Sequence, residues 1–216
     1  MRGLALGLGV MVGLVALAPA WLLLPAPPLA ATTVTGSVWQ AQLAGAALGR
    51  MQLGDVALAL QPGALIKGRL LWHAAGSLNG QIWRGFAAGG VAGLNGRLNG
   101  SLLPGLPLAG ISLADVNATL DGAGRCEAAG GQISADLALP LAGQRSLTGA
   151  PRCDGAALLL PLASGDGRVR LDVTSTYGRW TARLAVAGAG TGEAAALTAA
   201  GFHEQGGALV KEDSGT

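Results

Sequence analysis

Two cysteines and two histidines carry the most distinctive chemistry of this chain. Cys126 and Cys153 lie in matching contexts, Arg-Cys-Glu and Arg-Cys-Asp, whereas His73 and His203 each lack a companion at the spacing of metal ligands. A redox or metal site would need a Cys-x-x-Cys or further ligands nearby, and the sequence has neither. An even pair in an oxidising compartment predicts a single Cys126–Cys153 disulfide. Closing that loop would stabilise the fold by about 3 kcal/mol.

The motifs of the common catalytic centres are absent. The sequence contains no G-x-S-x-G, no H-E-x-x-H and no P-loop. Its carboxylates fall mostly in turn-like segments, at Asp121, Glu127, Asp154 and Asp166, where Asp also serves ordinary turn chemistry. The sequence therefore predicts a protein that is not an enzyme, with no catalytic, metal-binding or cofactor-binding residue and no cofactor.

The composition predicts a folded body with a buried core. Half of the 216 residues are hydrophobic and the formal net charge is only +2, whereas disorder needs low hydrophobicity and high net charge. The fourteen basic residues are spread singly along the chain. This spacing predicts no nucleic-acid partner and no charged patch.

Alternation of apolar and polar residues with period two predicts strands that have one buried and one solvated face. The short Gly-containing breaks between them favour antiparallel hairpins, and the glycines within them predict bends, bulges or strong curvature. Residues 194–200 fit a short helix or a strand equally well. The clearest strands are 94–102, 132–139, 168–173 and 180–186, and weaker ones are 33–39, 52–60, 65–73, 78–84, 111–120, 155–160 and 207–210.

The N-terminal segment is of a different kind. Residues 3–24 form an uncharged apolar run after Arg2, and a helix of that length spans the hydrocarbon layer of roughly 30 Å. A signal peptide cleaved after Ala20 is the alternative. The run continues to Leu24 before prolines break it, which favours an uncleaved signal anchor. The positive charge at the start predicts a cytoplasmic N-terminus.

These patterns together predict the domain organisation and the fold class. Residues 1–31 are expected to form a signal anchor with a Pro-rich exit, and residues 32–216 a single β-rich periplasmic domain. The predicted fold class is all-β: an N-terminal single transmembrane helix followed by a curved antiparallel β-sheet. The expected location is the cell inner membrane, crossed once, with the C-terminal domain in the periplasm.

Five tryptophans have predicted structural places. Trp21 lies at the outer end of the apolar run, where an indole suits the headgroup layer. We interpret Trp39, Trp72, Trp83 and Trp180 as core anchors in a sheet that is otherwise built from small residues. Ligand stacking on these rings is the alternative.

The segment after the apolar run resembles a known family. Residues 35–41, Thr-Gly-Ser-Val-Trp-Gln-Ala, look like the G-x-[VL]-W-x-G element that follows the anchor in type II secretion system protein N, with Ala41 in place of the last Gly. Residues 53–58 and 62–70 are similar to the next hairpin of that family. Further along, the segments around the two cysteines resemble its cysteine-bearing strands, and residues 177–180 fit the strand that follows.

This resemblance implies an accessory inner-membrane component of the machine that moves folded periplasmic proteins through an outer-membrane secretin. It implies other inner-membrane or secretin subunits as partners and a scaffold or binding role, and it carries over no catalytic residue. A second hypothesis is a membrane-anchored sheet that resembles the AsmA group and handles lipid between membranes. An apolar face would then serve as an open groove instead of a closed core; that face is lined by Leu94, Leu98, Leu102, Leu137 and Leu139.

Overall fold

The computed structural model describes residues 29–48, 51–100, 105–139 and 143–215. These ranges contain two short helices and sixteen strands that pair in one antiparallel sheet, which confirms the all-β antiparallel class. The elements in chain order are β1 (Leu29–Ala30), β2 (Thr33–Ser37), β3 (Gln40–Leu48), β4 (Met51–Leu60), α1 (Pro62–Leu65), β5 (Leu70–Gly76), β6 (Leu78–Arg84), β7 (Ala88–Asn99), β8 (Leu108–Asp121), β9 (Cys126–Leu139), β10 (Gly143–Gly149), β11 (Arg152–Asp154), β12 (Ala157–Ser164), β13 (Val169–Thr176), β14 (Arg179–Ala187), α2 (Thr191–Ala199), β15 (His203–Gln205) and β16 (Ala208–Gly215).

The sheet is a meander, because most connections are too short for a crossover. Strands β3 to β9 follow one another in space as they do in sequence. At one edge, β1 and β2 both pair with β3, and further along β10 and β11 both pair with β12. At the C-terminal end, β16 returns beside β14 and leaves β15 as the outer strand.

Glycines within the strands permit the irregular pairing. Gly131 has a φ of +98°, and a Cβ there would lie 2.3 Å from the Asp115 carbonyl oxygen, so this position excludes a side chain. It faces the register shift in β8 between Ala114 and Asn117. The irregularities anticipated from the glycine content are therefore present as bulges.

The core divides into two clusters along the sheet. A small cluster lies under β3 to β7 and includes Leu43, Val56 and Leu98. The large cluster lies under β8 to β14 and also receives Leu197 of α2 and Phe202. Its buried members are Leu106, Leu108, Val116, Ile133, Ala135, Leu137, Leu139, Leu147, Leu162, Val169, Leu171, Ala182, Leu184, Val186, Leu197 and Phe202.

The sheet curves around the large cluster. The segment that precedes β8 reaches the far part of the sheet, where the Gly105 N–H donates to Asp213 Oδ2 on β16 at 2.9 Å. Leu106 and Leu108 join the large cluster from the same segment. A contact between two residues that are 108 positions apart in sequence thus closes the sheet over the apolar face that holds the large cluster.

Several local expectations are corrected by the structure. The strand predicted over 65–73 begins only at Leu70, because Pro62 opens α1 and fixes a helical φ there. Residues 194–200 belong mostly to α2, so the helical alternative holds. Trp180 packs against the large cluster, whereas Trp39, Trp72 and Trp83 are half-buried outside both clusters and do not serve as core anchors.

The apolar run over residues 3–24 and Trp21 lie outside the described residues. Among the described helices, none has both the length and the hydropathy that a membrane span requires.

Candidate partner-binding surface

The two histidines lie on different strands, His73 on β5 and His203 on β15. His73 Nε2 lies 2.5 Å from the Gln61 Nε2 amide nitrogen, so its ring joins the end of β4 to β5. His203 is exposed on the outer strand β15. In the described ranges, no three His, Cys, Asp or Glu side chains are grouped closely enough to hold a metal ion.

Two turn carboxylates are held as anions by the groups around them. Asp121 accepts hydrogen bonds from the Arg125 backbone N–H and the Arg125 guanidinium, which lower the pKa of the Asp121 carboxyl below its ordinary value of 3.8. At Asp166, the Ser164 hydroxyl and the Arg168 backbone N–H donate to the carboxylate and lower its pKa in the same way. Both groups therefore serve the turns, as ordinary turn chemistry predicts.

A polar groove of about 550 Å³ lies on β13, β14 and β16. Its charged side chains are engaged with their neighbours: Arg183 Nε lies 3.6 Å from Glu212 Oε1, and Asp172 pairs with Arg170 at 3.0 Å. Arg183 also donates to Gln205 Oε1 at 2.6 Å. One of these ion pairs, Arg183 to Glu212, joins two strands, and the other, Arg170 to Asp172, lies along β13.

The predicted Cys126–Cys153 disulfide is present, with the two Cα atoms 5.5 Å apart. It joins the first residue of β9 to the centre of β11. The backbone ladder between β9 and β10 stops at the Ile133–Gly149 pair, so the disulfide fastens the part of β9 that lies beyond the ladder. The Cys126 N–H also donates to the Ala156 carbonyl at 2.9 Å.

A continuous row of turns lies at one end of the sheet. We name it the rim, and define it as residues 38–39, 61–69, 85–87, 122–125, 155–156 and 177–178 together with the strand residues within three positions of them. Close contacts join neighbouring turns. The Leu60 N–H donates to the Trp39 carbonyl at 2.9 Å, and the Gly122 N–H donates to the Ala87 carbonyl at 2.6 Å. Phe86 Cε2 lies 3.1 Å from where a Cβ of Gly68 would be, and Tyr177 Cα lies 3.4 Å from where a Cβ of Gly124 would be.

The rim collects most of the exposed apolar side chains. Six large hydrophobic residues are exposed in the described ranges, and five of them lie on the rim. Phe86 and Ile66 are 98% and 91% exposed. The other three rim members are Leu65, Ile82 and Tyr177. Leu65, Ile66 and Phe86 lie on adjoining turns of the rim, and exposed apolar side chains that form a contiguous patch mark interaction sites.

The rim also collects positive charge. Arg125 is paired with Asp121 at 2.6 Å, and Glu127 and Asp154 lie beside the disulfide. The remaining charges are positive, and the Arg69 guanidinium stacks over the Trp83 ring at 5.3 Å. The six basic residues of the rim are Lys67, Arg69, Arg84, Arg125, Arg152 and Arg179. The expectation that the chain has no charged patch is therefore wrong, because the fold brings together residues that are far apart in sequence.

One edge of the sheet is a second exposed feature. Strand β2 pairs with β3 on one side only, and its Thr33, Val34 and Thr35 are exposed. It carries no charge and no proline, the usual devices that keep an edge from pairing.

The apolar face proposed for lipid is closed in the described residues. Leu98, Leu137 and Leu139 are at most 5% exposed and lie in the two core clusters, and Leu94 packs against the large one. Leu102 lies outside the described residues. These side chains form core, and the face gives no support to an open groove.

The family model described as type II secretion system (T2SS), protein N, matches residues 27–210. That range covers every strand from β2 to β15 and both cysteines. No significant match to a curated protein or to a solved structure was found.

Proposed function

The chain belongs to the type II secretion system protein N family, and from that premise we propose that it acts as a non-enzymatic, inner-membrane-anchored scaffold of that system. In this role it binds other inner-membrane or secretin subunits and aids the export of folded periplasmic proteins. The observation that carries the proposal is the family match over residues 27–210.

The organisation of the described domain supports a binding role. Its apolar side chains are used to build two clusters under one sheet, and its buried polar side-chain atoms all have partners among the described residues. In the groove on β13, β14 and β16, Arg183 pairs with Glu212, and Asp172 pairs with the neighbouring Arg170. Surface that remains free lies at the rim and along the β2 edge, and both are suited to contact with protein.

Anchoring by residues 3–24 is part of the proposal. The run is long enough to cross a membrane once. Strand β1 begins at Leu29, directly after the last of the prolines that follow the run. An anchored scaffold would be kept beside the other inner-membrane subunits, which raises its effective concentration at the complex.

Deletion of the gene in a strain with an active type II system tests this function. Secreted enzymes are expected to accumulate, folded, in the periplasm while their release slows. Complementation uses two chains: the complete one, and one in which a cleavable signal peptide replaces residues 1–24 so that the same domain is exported without its anchor. The complete chain should restore release and the unanchored chain should not.

Unchanged release after deletion would overturn the proposal. If deletion left release unchanged and made the outer membrane leaky to detergents and large antibiotics, the lipid-handling hypothesis would replace it. Full complementation by the unanchored chain would reject the anchor and keep the secretion role.

A further inference from the structure

We propose that the rim is the docking surface for a partner protein that presents carboxylates around apolar side chains. The centre of this surface is the basic tip, defined as Ile66, Lys67, Arg69, Arg84 and Phe86. The inference rests on the proposed scaffold function and adds to it the place of contact and the chemistry of the partner.

The unpaired cations of the domain are concentrated at the rim. Away from the rim, the described arginines each form an ion pair with a carboxylate: Arg97, Arg145, Arg168, Arg170 and Arg183. Lys211 donates to the Ala200 carbonyl. On the rim, five exposed basic residues have no carboxylate partner among the described residues: Lys67, Arg69, Arg84, Arg152 and Arg179. Their charges are available to a partner's carboxylates.

The two apolar side chains of the basic tip, Ile66 and Phe86, lie on adjoining turns that are closed by backbone hydrogen bonds. After α1, the Lys67 and Arg69 N–H groups both donate to the Ala64 carbonyl, at 3.0 and 3.1 Å. Phe86 lies on the next turn, where the Gly85 N–H donates to the Ala88 carbonyl at 2.7 Å, and its Cε2 lies 3.1 Å from where a Cβ of Gly68 would be. Ile66 and Phe86 thus project from a backbone that is already fixed, and a fixed backbone lowers the entropic cost of binding.

The side-chain types favour a protein partner over a phospholipid surface. Five of the six basic residues of the rim are arginine, whose planar guanidinium can hold a carboxylate through two parallel hydrogen bonds. Arginine and aromatic residues are enriched in protein interfaces, whereas lysine is depleted. The pairing of Arg69 with the Trp83 ring fits the same pattern.

The position of the rim in the fold also favours a protein partner over the inner-membrane surface. Strand β1 enters the sheet beside Leu48, at the end opposite the rim. The ten residues of β4 run between the two ends, a distance of about 33 Å. With residues 3–24 in the inner membrane, as proposed, the rim points away from that membrane and toward periplasmic partners.

Site-specific crosslinking in cells with a working secretion system tests the proposal. A photoreactive amino acid replaces Phe86 in the complete chain, and a control chain carries it at Gly165, an exposed turn position away from the rim. Crosslinked peptides are identified by mass spectrometry. The same experiment is repeated with Lys67→Glu, Arg69→Glu and Arg84→Glu together, and with the charge-conserving set Lys67→Arg, Arg69→Lys and Arg84→Lys.

The expected result is a crosslink from position 86, absent from position 165, to a segment of another secretion subunit that contains Asp or Glu beside apolar residues. Charge reversal should lower its yield at least about ten-fold. The charge-conserving set should lower the yield much less, because lysine keeps the charge and loses only the guanidinium fork. Lysines placed in the acidic segment should restore the crosslink to the reversed chain. An unchanged thermal transition confirms that the reversed chain folds.

Three results would overturn the inference: equal crosslinking from positions 86 and 165, crosslinks to phospholipid, or a crosslink that survives charge reversal. The scaffold function is judged separately by the deletion strain. Normal release in that strain together with an acid-dependent crosslink would keep the docking surface and reject the secretion role.

Discussion

Removal of the Cys126–Cys153 disulfide should destabilise the domain by an amount that follows from its position in the chain. The two cysteines are 27 positions apart. In the chain-entropy relation, a closed loop of this length lowers the entropy of the unfolded chain enough to stabilise the fold by about 3 to 3.5 kcal/mol. With a urea m-value of about 2 kcal/mol/M, the unfolding midpoint should fall by roughly 2 M.

Without the disulfide, protection from amide hydrogen exchange should be lost near the two cysteines before the whole domain unfolds. Because the ladder between β9 and β10 ends at Ile133 and Gly149, the start of β9 is paired with β8 on one side only. On its other side it is held by the disulfide and by the Cys126 to Ala156 hydrogen bond. Amide hydrogen exchange should therefore speed up first in residues 126–132 and 152–156. Strands β13 and β14 lie within the large cluster and should keep their protection until global unfolding.

The assay compares the oxidised complete chain, the same chain after reduction, and Cys126→Ser/Cys153→Ser, all in one detergent. The last two should agree, and reductant should leave the double variant unchanged. Equal urea midpoints for oxidised and reduced protein, or exchange that rises uniformly over the sheet, would refute the argument.

Three further predictions follow from particular residues. Leu184→Ala should lower the free energy of unfolding by about 2–5 kcal/mol, because Leu184 is completely buried in the large cluster; Leu65→Ala, at a side chain 40% exposed, is the control and should change the urea midpoint far less. The lowered pKa of Asp121 stabilises the fold above the unfolded-state value of about 3.9, and this stabilisation is lost as pH falls through the folded-state pKa. Asp121→Asn should therefore be less stable than the wild type at pH 7, and the urea midpoints should converge in acid; a constant gap down to pH 2 would contradict the assignment. The mature protein should retain Met1 or Arg2 and stay in the pellet after an alkaline carbonate wash, whereas a soluble protein that begins at Trp21 by mass spectrometry would exclude the anchor.

Most strands could be predicted from the sequence, because alternation with period two is a local property. Residues 132–139 and 180–186 alternate cleanly and lie within β9 and β14. Strand β3 was not anticipated: its residues 40–48 are mostly Ala, Gln and Gly and give weak contrast between the two faces. The strand predicted over 65–73 was placed too early, because one proline can start a helical turn inside an apolar segment.

The surface that we propose for partner binding could not be predicted in this way. Arg125, Arg152 and Arg179 follow one another at equal intervals of 27 residues. In a meander, such a spacing could have indicated that the three residues lie at the same end of the sheet. In the sequence they appear as isolated charges. Only the pairing of strands brings their turns side by side and shows that the rim cations lack the carboxylate partners that other arginines have.

The sequence by itself determined the β class, the pairing of the only two cysteines and the resemblance to a secretion family, because each depends on local pattern, on residue count or on the order of motifs. The tertiary structure alone decided that the leucine face is a closed core and that the exposed apolar and basic side chains share one rim. The physical reason is that burial and clustering depend on what long-range pairing and sheet curvature place opposite each residue. The contact between Gly105 and Asp213, which closes the large core, joins positions whose relation no local pattern records.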